Sequence, residues 1–272
     1  MSLLFVTPDY RILVDAQDQP LWLPLEAVDE QRYAAAIVYA PLADAPEHFH
    51  PHASVGPSFP YVAVRATDTE IEELPHLTTG TWRSARGYLD HPNVASVIAK
   101  LRFRENERFD PQYGSPLHHF GSLAFGHDQR MIYPRIDPSV IGLVELYGHN
   151  RILLGRNRLR PDYFSLIAGY VNPGETLEAA FAREVLEETG RRADNITYVR
   201  SQPWPMSGSL MIGFTASTTD EDPVSTTDGE LEEIVWAGPE QIRQLPLAAP
   251  GSIARQLIDD WAKRTNDQPQ RP

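Results

Sequence analysis

The 272-residue chain contains no cysteine, which excludes disulfides and every thiolate metal site. It has no apolar run near the roughly 18 to 20 residues that cross a bilayer, and Met1-Ser2-Leu3-Leu4-Phe5-Val6 lacks the basic start of a signal peptide. A cytoplasmic protein with no membrane contact is therefore expected. Positive charge is short as well. With 24 Lys and Arg against 37 Asp and Glu, the formal charge of −13 has the wrong sign for nonspecific binding to nucleic acid, and no DNA partner is expected, although a local basic groove stays open. What is present, 42% hydrophobic and 10% aromatic residues, fits a globular chain of one large or two ordinary domains.

The clearest chemistry lies in Gly169 to Gly190, GYVNPGETLEAAFAREVLEETG. Pro173-Gly174 predicts a turn, Thr176 a helix cap and Glu178 a first-turn acid; Leu177, Ala179, Ala180 and Ala182 favour helix, and Gly190 ends it. Glu184, Glu187 and Glu188 stand at i, i+3 and i+4, so three carboxylates share one surface, with Ala179, Ala182, Val185 and Leu186 expected on the opposite, core side. A solvated acidic stripe is the bland reading. Against it, like charges so spaced destabilise a helix by roughly 0.2–0.5 kcal/mol per pair, and a bound cation reverses that sign. Hard oxygen ligands suit Mg²⁺ or Mn²⁺, which complete their shells with water and substrate phosphates.

Gly169, five residues, Glu175, seven residues and then Arg183-Glu184-Val185-Leu186-Glu187-Glu188-Thr189-Gly190 resembles the signature of the Nudix hydrolases, which cleave nucleoside diphosphates linked to another moiety. Arg191 departs from the aliphatic residue usual in that family, a difference expected to touch packing after the helix and not the metal face. Ser201-Gln202-Pro203-Trp204-Pro205-Met206-Ser207-Gly208-Ser209 is similar to the SQPWPFPxS motif of the NADH pyrophosphatase branch, with Met206-Ser207 where Phe-Pro is usual. Tyr133-Pro134-Arg135-Ile136-Asp137-Pro138 resembles the segment that enters the Nudix domain in that branch.

The resemblance implies an α+β chain: a Nudix α/β/α sandwich with a mixed sheet over 133–264, preceded by a β-rich N-terminal domain with a connecting helix (1–105) and a degenerate zinc-ribbon-like linker (106–132), and followed by a disordered tail (265–272). In the first part, apolar runs at 3–6, 12–14, 21–23, 34–40 and 61–64, split by turn residues, predict strands. His48, His50 and His52 are either a metal site or a surface loop. Val94, Val97, Ile98 and Leu101 predict a helix opened by Pro92.

In the linker, the stretches 109–114 and 125–128 stand where paired cysteines belong, so no zinc is expected. Packing of Phe109, Tyr113, Phe120 and Phe125 is the expected substitute; a site built from His118, His119, His127, Asp110 and Asp128 is the lesser alternative. Beyond it, 140–146 and 151–154 predict a hairpin, 163–171 a strand, 196–200 and 210–215 strands about the SQPWP turn, and 220–229 a flexible polar loop. Ile253, Leu257, Ile258 and Trp261 predict a final helix capped by Ser252.

By the same resemblance, Glu184, Glu187 and Glu188 with Glu230 and the Ala168 backbone would hold Mg²⁺ or Mn²⁺, Arg183 would orient the glutamates, and Glu233 would be structural. Tyr133, Tyr170 and Trp204 would stack on bases, with Gln202, Pro203, Ser209 and Ala254 contributing to the substrate pocket. The implied activity is hydrolysis of the diphosphate of NAD(H) to nicotinamide mononucleotide and AMP, with NAD-capped RNA a second substrate, in a homodimer. ADP-ribose hydrolysis and a silent Nudix-fold sensor are the alternatives.

Overall fold

Short apolar runs become strands in the first part of the chain. The structure, a computed structural model, describes residues 2–24, 61–120 and 123–267 and divides into two units, Met1–Ile136 with Pro205–Gly208 and Asp137–Trp204 with Ser209–Pro272. In the first unit, strands β1 (Ser2–Val6), β2 (Arg11–Val14), β3 (Leu23–Pro24), β4 (Tyr61–Arg65), helix α1 (Asp68–Thr78), strand β5 (Thr81–Ser84) and helix α2 (Pro92–Asn106) follow in order. The sheet runs β3-β1-β2-β5, with β4 parallel to β1. Val94, Val97, Ile98 and Leu101 of α2 pack with Leu4, Val6, Ile12 and Ala63, so this helix is part of the unit's core, not merely a connector. Sequence reading missed α1, although Thr67 and Glu70 form a reciprocal capping box at its start. His48, His50, His52 and the run 34–40 lie outside the described residues.

The linker folds as a small antiparallel sheet of β6 (His118–Phe120), β7 (Leu123–Phe125) and β8 (Met131–Ile132). Here the expectation of aromatic packing holds only in part: Phe125 is buried, but Phe109 and Tyr113 are 60% and 54% exposed. The loop is closed by Asp110 instead. Its buried Oδ1 accepts from the main-chain N–H of Gln112 (2.8 Å) and Tyr113 (3.2 Å) and from Arg130 Nη2 (2.5 Å). A short polar turn has too few apolar neighbours to bury an aromatic, whereas a carboxylate can gather its unpaired amides. His119 is bonded through Nε2 to the Glu107 carbonyl at 2.8 Å, and among the described residues no group of three or more His, Asp or Glu is placed to hold an ion. The side chains of Phe120 and Asp128 lie outside the described residues.

The second unit is built on a mixed sheet of β9 (Asp137–Leu146), β10 (Ile152–Asn157), β11 (Ile167–Tyr170), β12 (Asp194–Trp204), β13 (Ser209–Thr218) and β14 (Leu231–Ala237). The order is β12-β13-β9-β10-β14, with β13 parallel to β9 over its whole length and β11 antiparallel to β9. Alternation along β9 sets the layers. Val140 and Val144 face a cluster with Ala180, Phe181 and Val185 of α3 (Leu177–Thr189); Ile141 and Leu143 face one with Ile253, Leu257, Ile258 and Trp261 of α5 (Ile253–Asp267), while α4 (Pro239–Ile242) adds Ile242 there. The α/β/α sandwich follows.

Three boundaries differ from the sequence reading. Only Ile167–Tyr170 of the stretch 163–171 is strand, because Ser165 and Phe164 make isolated bridges to Gly155 and Leu247 instead. Ser201 to Trp204 continue strand β12, so the turn of the SQPWP motif is Pro205–Gly208. Helix α5 continues through Thr265 to Asp267, inside the stretch expected to be disordered. No helix among the described residues is long and apolar enough to cross a membrane.

A candidate carboxylate site on helix α3

Helix α3 starts where Thr176 Oγ1 accepts from Ala179 N–H (3.2 Å) and stops at Gly190, whose φ of 69° closes the helix with a bond from its N–H to the Leu186 carbonyl. Its buried stripe is Ala180, Phe181, Glu184, Val185, Glu188 and Thr189. This corrects the expected faces. Ala179 and Leu186 are exposed, and Glu184 and Glu188 point into the unit, because Phe181 is the large apolar group that docks on the sheet and residues three, four and seven positions on follow it inward. Only Glu187 stays at the surface.

Strand β11 runs directly against this stripe. A Cβ on Gly169 would lie 2.0 Å from the Glu184 carboxyl carbon, so a side chain there would displace the glutamate. One guanidinium organises the outer carboxylates. Arg183 donates from Nε to Glu175 (2.7 Å), from Nη2 to Glu175 (3.0 Å) and the Tyr170 carbonyl (2.9 Å), and from Nη1 to Glu184 and Glu187 (2.8 Å each). Those bonds, with the Asn172 N–H, hold the Glu175 carboxyl below its usual range. Every Arg183 nitrogen is bonded within the chain.

Glu188 is different. It is 3% exposed and takes part in no hydrogen bond or ion pair among the described residues. Burial first, then the charges of Glu230, Glu184 and Asp228, push its carboxyl up to about 9, with Arg160 opposing them. Burial also raises Glu184, against the pull of Arg183. Glu230 reaches the same region from the segment before β14. Asn157 Nδ2 donates to its Oε1 (2.8 Å), and its N–H donates to Asp228 Oδ1 (2.9 Å). Asp228, which sequence reading missed, is thus a further acid beside Glu188; its signal was its place two residues before Glu230. Glu233, on the neighbouring strand, pairs with Arg156 at 2.6 Å.

The donor set, all carboxylate oxygen around an unpartnered buried Glu188, fits a hard divalent cation in its chemistry. Among the described residues no group of three or more acids is placed to hold an ion; Arg183 bonds Glu184 and Glu187, and Asn157 bonds Glu230.

The remaining candidates separate. Tyr170 Oη and Ser209 Oγ are 3.3 Å apart, and Trp204 pairs with Ser209 across the β12–β13 hairpin, so these three share one end of the sheet, with Pro203 opposite Leu210 beside them. Ala168 lies on β11 opposite Ile141, next to Gly169. Gln202 does not offer its amide to a ligand as expected. It is buried, donating to the Gly251 carbonyl (2.8 Å) and accepting from Ile253 N–H (2.8 Å), and so fixes the turn into α5. Ala254, on α5, is buried in the core. Tyr133 belongs to the first unit, where it is 65% exposed.

With this geometry in place, residues 137–259, which lie within the second unit, match the NUDIX domain family model. Among similar proteins, the chain is 36% identical over 190 residues to the NAD-capped RNA hydrolase NudC of Mycobacterium bovis BCG, covering 62% of this chain and 59% of that protein. It is 39% identical over 168 residues to the protein of the same name from Edwardsiella ictaluri, covering 60% and 63%. The NAD-capped RNA hydrolase NUDT12 of Macaca fascicularis is 40% identical over 141 residues, 48% of this chain and 30% of that one. The matches therefore span under two thirds of each relative's length.

Proposed function

We propose that the chain is a divalent-cation-dependent hydrolase of the diphosphate bond of NAD(H), adding water to give nicotinamide mononucleotide and AMP, and that it also removes NAD caps from RNA. The observation that carries this reading is the buried, unpartnered Glu188 surrounded by Glu184, Asp228 and Glu230 on a Nudix helix. The names of the relatives supply the substrate class.

In this reading Glu184, Glu187, Glu188 and Glu230, with the Ala168 backbone, hold Mg²⁺ or Mn²⁺. When bound, the cation would neutralise phosphate charge and lower the pKa of a coordinated water. The chain's own residues do the rest. Arg183 keeps Glu175, Glu184 and Glu187 in fixed directions, Gly169 leaves room for the Glu184 carboxyl, and the buried Glu188 carboxyl carries its proton at neutral pH. Tyr170 and Trp204 offer flat faces to a base, and Ser209 a hydroxyl at the same sheet end. The reading carries with it a cytoplasmic homodimer, for which sedimentation of the purified chain tests the assembly.

Incubation of purified protein with NAD, NADH, ADP-ribose and NAD-capped RNA in Mn²⁺, with the products resolved, tests the activity. AMP and nicotinamide mononucleotide from NAD(H) are expected. AMP from ADP-ribose alone would move the substrate assignment, and no AMP from NAD(H) or ADP-ribose together with no 5′-monophosphate RNA from the capped RNA would leave a binding protein.

A further inference from the structure

The segment between β13 and β14 reads as a free polar loop, yet it is tied to the end of α3 at several points. The last carbonyls of a helix lack partners within it. Here Val224 and Ser225 donate their N–H groups to the Gly190 carbonyl (2.7 and 3.3 Å), and Asp228 donates its own to the Glu187 carbonyl (2.8 Å). A Cβ on Gly190 would meet the Ser225 carbonyl oxygen at 2.4 Å, so the strap lies hard against the helix end. Asp220 holds its start, accepting from Arg192 N–H, Nε and Nη2 at 3.1, 2.8 and 2.7 Å.

Arg191 is the knot of this arrangement. It is 7% exposed and reaches no carboxylate; its Nη1 donates to the Thr189 carbonyl (2.8 Å), and its Nε and Nη2 donate to the Glu221 carbonyl (3.1 and 2.8 Å). Trp236 Nε1 donates to the same Glu221 oxygen (2.9 Å), and the guanidinium lies 5.5 Å from the Trp236 ring centre. One side chain thus joins the helix end, the start of the strap and strand β14. A planar fork does this; an aliphatic residue of the same length would leave the Thr189 carbonyl without its donor.

We propose that Arg191 is a positioning residue for the carboxylate face: by pinning the strap to α3 it sets where Asp228 and Glu230 stand relative to Glu188, and so tunes cation binding without touching the cation. The proposal rests on the metal reading given above. It is tested on the full chain without substrate, by direct Mn²⁺ titration followed by electron paramagnetic resonance and by amide hydrogen exchange. Arg191→Leu is expected to weaken Mn²⁺ binding about tenfold, the scale on which groups behind metal ligands act, while the amides of Val224, Ser225 and Asp228 exchange faster and those within α3 keep their rates. Arg191→Lys, which keeps the charge but reaches one carbonyl at a time, is expected to fall between wild type and the leucine variant in both readouts.

Unchanged Mn²⁺ affinity in a folded Arg191→Leu variant would overturn the assignment, as would strap amides that exchange at the wild-type rate. If that variant does not fold, Trp236→Phe removes one donor to the same carbonyl while keeping the ring, and is expected to show the same two changes to a smaller degree; wild-type behaviour there counts against the proposal. A wild-type chain that binds no Mn²⁺ overturns this assignment together with the metal reading. One that binds Mn²⁺ but hydrolyses no dinucleotide overturns only the activity.

Discussion

Replacing Glu188 by Gln should make the metal-free protein more stable, and increasingly so as the pH rises. The folded carboxyl titrates at about 9 against an ordinary value of 4.5, chiefly because it is buried and then because Glu230, Glu184 and Asp228 surround it. The sign follows from linkage. A raised folded pKa means the native state binds the proton more tightly, so stability is full below the unfolded value, falls as the pH rises from about 4.5, and levels off above about 9. At about 1.4 kcal/mol per pH unit, the wild type loses roughly 5 kcal/mol between pH 4.5 and pH 8 from this group alone. Gln mimics the protonated acid in shape and charge and should abolish the loss. Urea denaturation in chelator at pH 5 and pH 8 would measure it: near-equal stabilities are expected at the lower pH and a gap of several kcal/mol at the higher. Added Mn²⁺ should close the gap by stabilising the wild type alone, with an affinity that rises with pH up to about 9 as the proton becomes easier to displace. Parallel pH–stability curves for the two proteins would refute the reasoning.

Gly169→Ala places a methyl 2.0 Å from the Glu184 carboxyl carbon; because the group that must move is the end of a flexible side chain, at least a tenfold loss of Mn²⁺ affinity is expected from titration with little change in stability on denaturation. Arg183→Ala strips Glu175, Glu184 and Glu187 of their shared donor and should cost about 3 kcal/mol by urea denaturation, with Arg183→Lys recovering only part because it lacks the fork. Asp110→Asn should lower the melting temperature of the first unit at neutral pH. Burial raises the Asp110 carboxyl, but the Gln112 and Tyr113 N–H groups and Arg130 outweigh it and leave it below 3.8, so the deficit should vanish as the pH falls through that range.

The parts of the fold carried by local periodicity were legible. Short apolar runs bounded by turn residues gave β1, β2, β4, β9 and β13, and caps and spacing gave α2, α3 and the start of α5. What was not legible rests on partners distant in sequence. Strands β12 and β13 outrun their apolar segments because they pair with each other from Asp194 to Trp204. The strap looked free because its bonds go to helix carbonyls that composition does not reveal. Glu184 and Glu188 were placed on a solvent face because carboxylates are ordinarily exposed; only the stripe set by Phe181 turns them inward. Arg191 was visible as a departure from the family pattern, but its three main-chain bonds were not.

The charge of the face makes one more demand on any diphosphate substrate. Glu175, Glu184, Glu187, Glu188, Asp228 and Glu230 are answered within the site by Arg183 and Arg160, so with Glu188 protonated the face still carries excess negative charge. Two like charges 4 Å apart repel by about 4 kcal/mol near a protein surface. A dinucleotide brings two more negative charges to this region and should therefore bind weakly without a cation, however well its rings stack. Calcium, with the same charge and oxygen preference but a looser coordination shell, offers a way to supply the cation without efficient turnover. Quenching of tryptophan fluorescence by NADH, in chelator and in Ca²⁺, would measure the difference: affinity should rise at least tenfold with the ion in the wild type and change little in Glu188→Gln. Equal affinity with and without the ion would mean that the dinucleotide binds away from the carboxylate face.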